Sequence, residues 1–113
     1  IKLERGVADF SDIERMAMRL LVTNENGQAR RTPLAEEIVR SGAYKVILID
    51  EYQDVNNLQE TIFRALSTSQ DMAALGSNIF VVGDVKQAIY RFRLSNPRLF
   101  LKAAERARSA RYG

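Results

Sequence analysis

Two periodicities alternate along this chain. Ile13, Met16, Ala17, Leu20 and Leu21 recur at helical intervals behind Ser11-Asp12-Ile13-Glu14, whose serine and glutamate have the spacing of a capping box. The pattern predicts an amphipathic helix over 12–22 that starts at Ser11. Residues 23–32 are polar and contain Gly27, which reads as a loop or a shortened insertion. Thr32-Pro33 then opens a second helix, because proline at the first helical position gives up an N–H that has no partner there anyway. Gly42 suits the left-handed residue that ends it.

From there the pattern changes. Tyr44-Lys45-Val46-Ile47-Leu48-Ile49 is a β-branched and aliphatic run that stops abruptly at two carboxylates, Asp50 and Glu51. Asn78-Ile79-Phe80-Val81-Val82 is a second short apolar run, and it stops at Gly83-Asp84. Both read as buried strands. Between them Val55, Leu58, Ile62, Phe63 and Leu66 mark one stripe of a helix over 55–66, and residues 67–77 form a polar connection. Asn96-Pro97 opens a last helix that turns Leu99, Phe100, Ala103 and Ala107 inward. Strand, helix, strand predicts a right-handed crossover and a parallel pair. The fold class is therefore α/β, with both strand ends carrying acids to the edge where ligands bind in open sheets.

Composition narrows the class. With 113 residues the chain holds one domain and one modest core, and 46% hydrophobic with 27% charged residues suits a globular protein. No apolar run approaches the ~20 residues that span a bilayer, and no basic start leads into an apolar signal segment. No membrane role is expected. Cysteine and histidine are both absent, which excludes disulfides and thiolate or imidazole zinc sites and makes a reducing cytoplasm the default compartment. The first residue is Ile1 rather than Met, which points to a piece of a longer protein.

Charge is uneven. Residues 1–85 carry nine Lys and Arg against thirteen Asp and Glu, whereas residues 86–113 carry eight against Glu105 alone. A basic block of this kind can face the phosphates of a nucleotide or a nucleic acid. For Arg98, Lys102 and Arg106, spaced four apart, a solvated helix face is the simpler reading.

The candidate chemistry sits in two motifs. In nucleoside-triphosphatases, paired acids at a strand end meet two needs: one carboxylate holds Mg²⁺ beside the phosphates, and the next positions the attacking water. Asp50-Glu51-Tyr52-Gln53-Asp54, followed about thirty residues later by Gly83-Asp84-Val85-Lys86-Gln87-Ala88-Ile89-Tyr90-Arg91-Phe92-Arg93, resembles motifs II and III of the UvrD/Rep-type superfamily 1 DNA helicases. Asp9-Phe10-Ser11-Asp12-Ile13 resembles the segment before motif II. The run from Arg91 to Phe100 is especially similar to the helicase–nuclease members that act in bacterial recombinational repair.

That resemblance implies a fragment of the N-terminal RecA-like motor domain, an α/β P-loop NTPase fold with parallel strands and flanking helices, occupying residues 1–113. It implies an ATP-dependent DNA helicase or translocase that uses ATP and Mg²⁺, acts on single- and double-stranded DNA, and works with a second subunit in the bacterial cytoplasm or nucleoid. Asp50 would hold Mg²⁺, and Glu51, beside the metal, would orient and deprotonate the hydrolytic water. Gln87 would sense the γ-phosphate, since an amide both donates and accepts. Phe92 stands where relatives often have a tryptophan that stacks on a DNA base, a contact that needs no particular sequence. Arg93 would link the nucleotide and DNA sites, and Tyr90 would help fix that loop.

Simpler readings stand beside these. Asp50 and Glu51 could cap the helix that follows them, Asp54 could be its N-cap, Phe92 could be core, Lys86 could be surface charge, and Asp84 could only shape the turn after Gly83. From another enzyme class, Asp50 with Asp84-Val85-Lys86 imitates the metal site of a PD-(D/E)xK nuclease, which needs its acids on adjacent hairpin strands. A non-catalytic DNA-binding module is the third reading. The sequence contains no Gly-x-x-x-x-Gly-Lys-Ser/Thr, so the loop that cradles phosphates in this family is missing from these residues. The 113-residue chain taken alone is therefore expected to be inactive and to bind Mg-ATP only weakly. Calorimetry giving a micromolar dissociation constant, about −8 kcal/mol, would contradict this.

Overall fold

The computed structural model describes Gly6, residues 9–84, Lys86, Lys102, residues 104–106 and Arg108. Helix α1 spans Phe10–Leu21, strand β1 Val22–Glu25, β2 Gln28–Arg31, α2 Pro33–Ser41, β3 Ile47–Ile49, α3 Asn57–Leu66 and β4 Ile79–Val81, with a 3-10 turn at Tyr52–Asp54. β3 and β4 pair in parallel, Ile47 opposite Ile79 and Ile49 opposite Val81, with α3 in the connection between them. The expected α/β class and parallel pair are present.

Local chemistry accounts for the boundaries. Thr32 caps α2 by accepting the Ala35 N–H, Pro33 follows at the first position, and Gly42 closes the helix at φ 70°. The start of α1 differs from expectation. Asp9 is the cap, in a box with Asp12 whose two bonds measure 2.8 and 3.1 Å, so the helix begins two residues before the Ser11–Glu14 box allows. A carboxylate placed earlier offers the free N–H groups a charged acceptor. At α3 the cap is Asn56, boxed with Gln59, which displaces the N-cap role read for Asp54 and leaves that residue in the 3-10 turn. Asp50 and Glu51 cap neither helix.

Residues 23–32 are not a loop. β1 and β2 form an antiparallel hairpin about Asn26-Gly27, both with positive φ of 53° and 79°. A two-residue turn of that kind matches the twist of its strands, and Asn-Gly is its usual sequence. The hairpin decides how α1 packs. The helix runs straight into β1, and Thr32 returns to its end, donating N–H to the Leu21 carbonyl and Oγ1 to that of Leu20 at 3.0 and 2.6 Å. Leu21 turns inward and Ala17 is half-buried while Ile13, Met16 and Leu20 remain exposed, so only part of the apolar stripe is packed.

Among the described residues two clusters make the core. Leu21, Ala35, Ala65 and Met72 join α1, α2 and α3, and Ile49, Tyr52 and Val55 pack with Ile47, Phe63, Ile79 and Val81 between the sheet and α3. That face of the sheet is the covered one among the described residues. Leu48, Phe80 and Val82 are 59–77% exposed, where strands buried on both faces were expected. The connection after α3 makes a close backbone contact at Gly76, where a Cβ would stand 2.6 Å from the Ser69 nitrogen. The expected last helix falls mostly outside the described residues, but Lys102 and Arg106 are helical and exposed, as a solvated face requires.

Arg31 at the end of β2 ties the hairpin to α3. Its guanidinium donates to the carbonyls of Arg64, Ala65, Ser67 and Ser69 at 3.0, 2.8, 2.7 and 2.8 Å. Arg64 and Ala65 lie in the last turn of α3, where carbonyls lack the usual intrahelical partners, and Ser67 and Ser69 follow the helix end. Arg31→Met removes every donor and should cost about 1.5–3 kcal/mol in urea unfolding. Arg31→Lys should recover only part of that, because an ammonium cannot fork. Unchanged unfolding midpoints in both variants would show the tie to be dispensable.

Candidate active site at the ends of the parallel strands

Strand pairing continues past the strands themselves. The Val82 N–H donates to the Ile49 carbonyl at 2.9 Å, and the Tyr52 N–H donates to the Val82 carbonyl at 2.9 Å. The turn that carries Asp50 and Glu51 is thereby bonded to the segment that leads into Gly83-Asp84. Both acids are exposed at this edge. Asp50 Oδ1 accepts the Glu51 N–H at 2.7 Å. Glu51 has φ 51° and ψ 43°, and Asn26 is the other non-glycine residue at positive φ among the described residues. A left-handed glutamate costs about 1–3 kcal/mol and persists only where its surroundings fix it.

Those surroundings are two buried residues to which the motif alone gave no role. Gln53 is fully buried. Its Nε2 donates to Oε2 of Glu51, and its Oε1 accepts the Asp84 N–H at 2.8 Å. Tyr52, also fully buried, donates its hydroxyl to Oε2 of Glu60 on α3. Glu60 Oε1 accepts from Arg64 Nε at 3.1 Å, and Arg64 Nη1 reaches the Met72 carbonyl at 3.3 Å. Burial, then the hydrogen bond to Glu60 and its negative charge, hold the Tyr52 phenol well above the ordinary tyrosine range. It is a permanent donor at neutral pH. The signal for this network was present as a charged pair on an amphipathic helix, Glu60 with Arg64 at i, i+4.

The other candidates divide. Asp84 Oδ1 accepts the Lys86 N–H at 2.9 Å, a side-chain-to-backbone turn of the kind read for Asp84, and Lys86 is exposed. Gln87, Tyr90, Phe92 and Arg93 lie outside the described residues. The nuclease geometry is not met: the acids sit on parallel strands joined through α3, and Lys86 lies beyond the end of β4. For Mg²⁺, an exposed carboxylate at a strand end fits, since this ion keeps several waters and takes one or two carboxylates rather than a protein cage. No helix among the described residues is long and apolar enough to cross a membrane.

Parallel strands backed by helices and ending in carboxylates define an α/β domain with a strand-end ligand edge. The model of the UvrD/REP helicase N-terminal domain matches residues 2–108, and the chain belongs to that family. It is 45% identical over 101 residues to an ATP-dependent helicase/nuclease subunit of Lysinibacillus sphaericus, an alignment covering 89% of this chain and 8% of that protein. The like-named protein of Desulforamulus reducens is 44% identical over 104 residues, covering 92% and 8%. That of Moorella thermoacetica is 45% identical over 100 residues, covering 88% and 7%. The chain thus spans about a twelfth of the length of these relatives.

Removing the Tyr52 hydroxyl leaves Glu60 short of a buried partner, and Tyr52→Phe should cost about 1–3 kcal/mol in unfolding. The folded phenol is held above its unfolded value near 10, so its contribution is complete below that pH. As pH rises above about 10 the unfolded chain ionises first, and the stability gap between wild type and Tyr52→Phe should shrink. A gap that stays constant through the alkaline range would remove Tyr52 from the network.

Proposed function

We propose that this chain is part of the RecA-like first motor domain of an ATP-dependent DNA helicase/nuclease that works in recombinational repair in the bacterial cytoplasm or nucleoid. The observation that carries the reading is the placement of Asp50 and Glu51, consecutive and exposed at the C-terminal end of a parallel strand, on a turn bonded to the neighbouring strand end. Membership of the helicase family and the names of the relatives support it.

In this reading Asp50 is the carboxylate that would hold Mg²⁺, and the ion would supply positive charge to neutralise the phosphates of ATP. Glu51 orients water for in-line attack and accepts its proton. Its backbone is fixed by the Tyr52–Val82 bond and its carboxylate by Gln53, so little reorganisation precedes the step. Gln87 senses the γ-phosphate from the segment after β4, Arg93 connects nucleotide to DNA, and Tyr90 and Phe92 form the single-strand contact. The remaining motor parts, including the phosphate-cradling loop, and a second subunit of the complex are contributed from outside these residues.

In the full-length protein, Glu51→Gln should nearly abolish hydrolysis while leaving Mg-ATP binding largely intact, because it keeps the shape and removes the base. Asp50→Asn should also weaken Mg²⁺-dependent binding. Phe92→Ala should cost about 1–3 kcal/mol of single-strand binding and lower unwinding. Normal DNA-stimulated hydrolysis by Glu51→Gln would overturn the assignment of the acids. Normal unwinding by Phe92→Ala, beside loss of metal-dependent DNA cleavage in Lys86→Ala, would turn the reading toward a nuclease.

A further inference from the structure

The two strand ends are joined by backbone bonds, but one side chain also spans them. Gln53 is 0% exposed, and its amide is used in both senses: Nε2 donates to the Glu51 carboxylate and Oε1 accepts the Asp84 N–H at 2.8 Å. A buried amide that donates at one end and accepts at the other cannot release one partner at no cost, since the freed group is shut away from water. Glu51 and Asp84 are themselves exposed, and Asp84 opens the segment that leads to Gln87. The left-handed backbone at Glu51 confines its carboxylate further.

We propose that Gln53 is a positioning residue that couples the backbone at Asp84 to the carboxylate of Glu51. The proposal rests on the reading of Glu51 as the base. A displacement of the Asp84 backbone is transmitted through the amide to the carboxylate, so the alignment of the acid depends on where Asp84 sits. Methionine removes both halves of the link and glutamate only one. Methionine has the length without polar atoms, and glutamate keeps the acceptor for Asp84 while presenting a second carboxylate to Glu51 in place of the donor.

The test uses the full-length protein. Gln53→Met and Gln53→Glu should each lower kcat for DNA-stimulated ATP hydrolysis by about 10- to 100-fold, the usual effect of losing a partner that orients a reacting group. KM for ATP and Mg-ATP affinity should stay within about threefold, because neither variant touches the groups that hold nucleotide. A tie that served folding alone predicts otherwise: Gln53→Glu, which keeps the Asp84 bond, would then turn over at the wild-type rate. That result, with Glu51→Gln inactive alongside, overturns the coupling and leaves the base in place. If Glu51→Gln is itself active, the functional reading fails instead. Hydrogen exchange at the Asp84 amide of the wild-type protein gives an answer that depends on no variant. Slow exchange that changes with a non-hydrolysable ATP analogue and Mg²⁺ is expected, and exchange as fast as in open loops, or unaltered by the analogue, overturns the proposal even where a variant fails to fold.

Discussion

The ladder between β3 and β4 outruns both strands, and the placement of the site depends on that overrun. It begins at the Ile47 N–H, which donates to the Asn78 carbonyl at 2.8 Å, and ends where the Tyr52 N–H meets the Val82 carbonyl. A parallel pair cannot be closed by a tight turn, so its register comes from what packs on the face and what holds the ends. Ile47, Ile49, Ile79 and Val81 supply the packing against Phe63. A slip of one residue would turn inward-facing side chains outward and carry Asp50 away from Asp84.

Buried side-chain amides hold the two ends. At the start, Asn78 accepts the Thr68 N–H at 2.9 Å and donates to the Tyr44 carbonyl at 3.1 Å, joining the connection after α3 to the approach to β3. At the finish, Gln53 spans Glu51 and Asp84. Each amide answers polar groups on two segments at once. Apolar residues of the same size would fill the same volume without specifying which backbone groups meet. Polar pairing here sets position, and the apolar cluster between sheet and α3 supplies most of the drive to bury it.

Most of this frame could be read from residues alone. Pro33 and Gly42 have few places to sit, and an apolar run that breaks at Asp50-Glu51 has few explanations, so α2 and the two strand ends were legible. The hairpin was misread because residues 23–32 are polar, and polarity hid the Asn26-Gly27 turn that should have outweighed it. Caps were ambiguous for a different reason. Asp9 and Ser11, or Asp54 and Asn56, are all competent acceptors, and the choice depends on where the preceding chain enters. Apolar runs also do not say whether one face or both will be covered, which is why Leu48 and Phe80 were expected inside. Gln53 and Tyr52 lay within the most conspicuous motif of the chain, yet their partners, Asp84 and Glu60, are supplied by elements whose approach no local pattern records.

The strained backbone at Glu51 follows from this arrangement. Successive residues of a strand point to opposite faces, so a chain that stayed extended could not bury both Tyr52 and Gln53. Leaving the strand conformation at residue 51 and tightening into the 3-10 turn places both in the interior. Fully burying a large side chain returns about 1.5–3 kcal/mol, close to the strain of one left-handed residue. The strain is therefore offset by packing beneath the site, independently of any ligand. One consequence falls on the exposed acid itself. Its backbone is fixed by what its neighbours bury, and its carboxylate is held by a buried amide that also answers the Asp84 backbone.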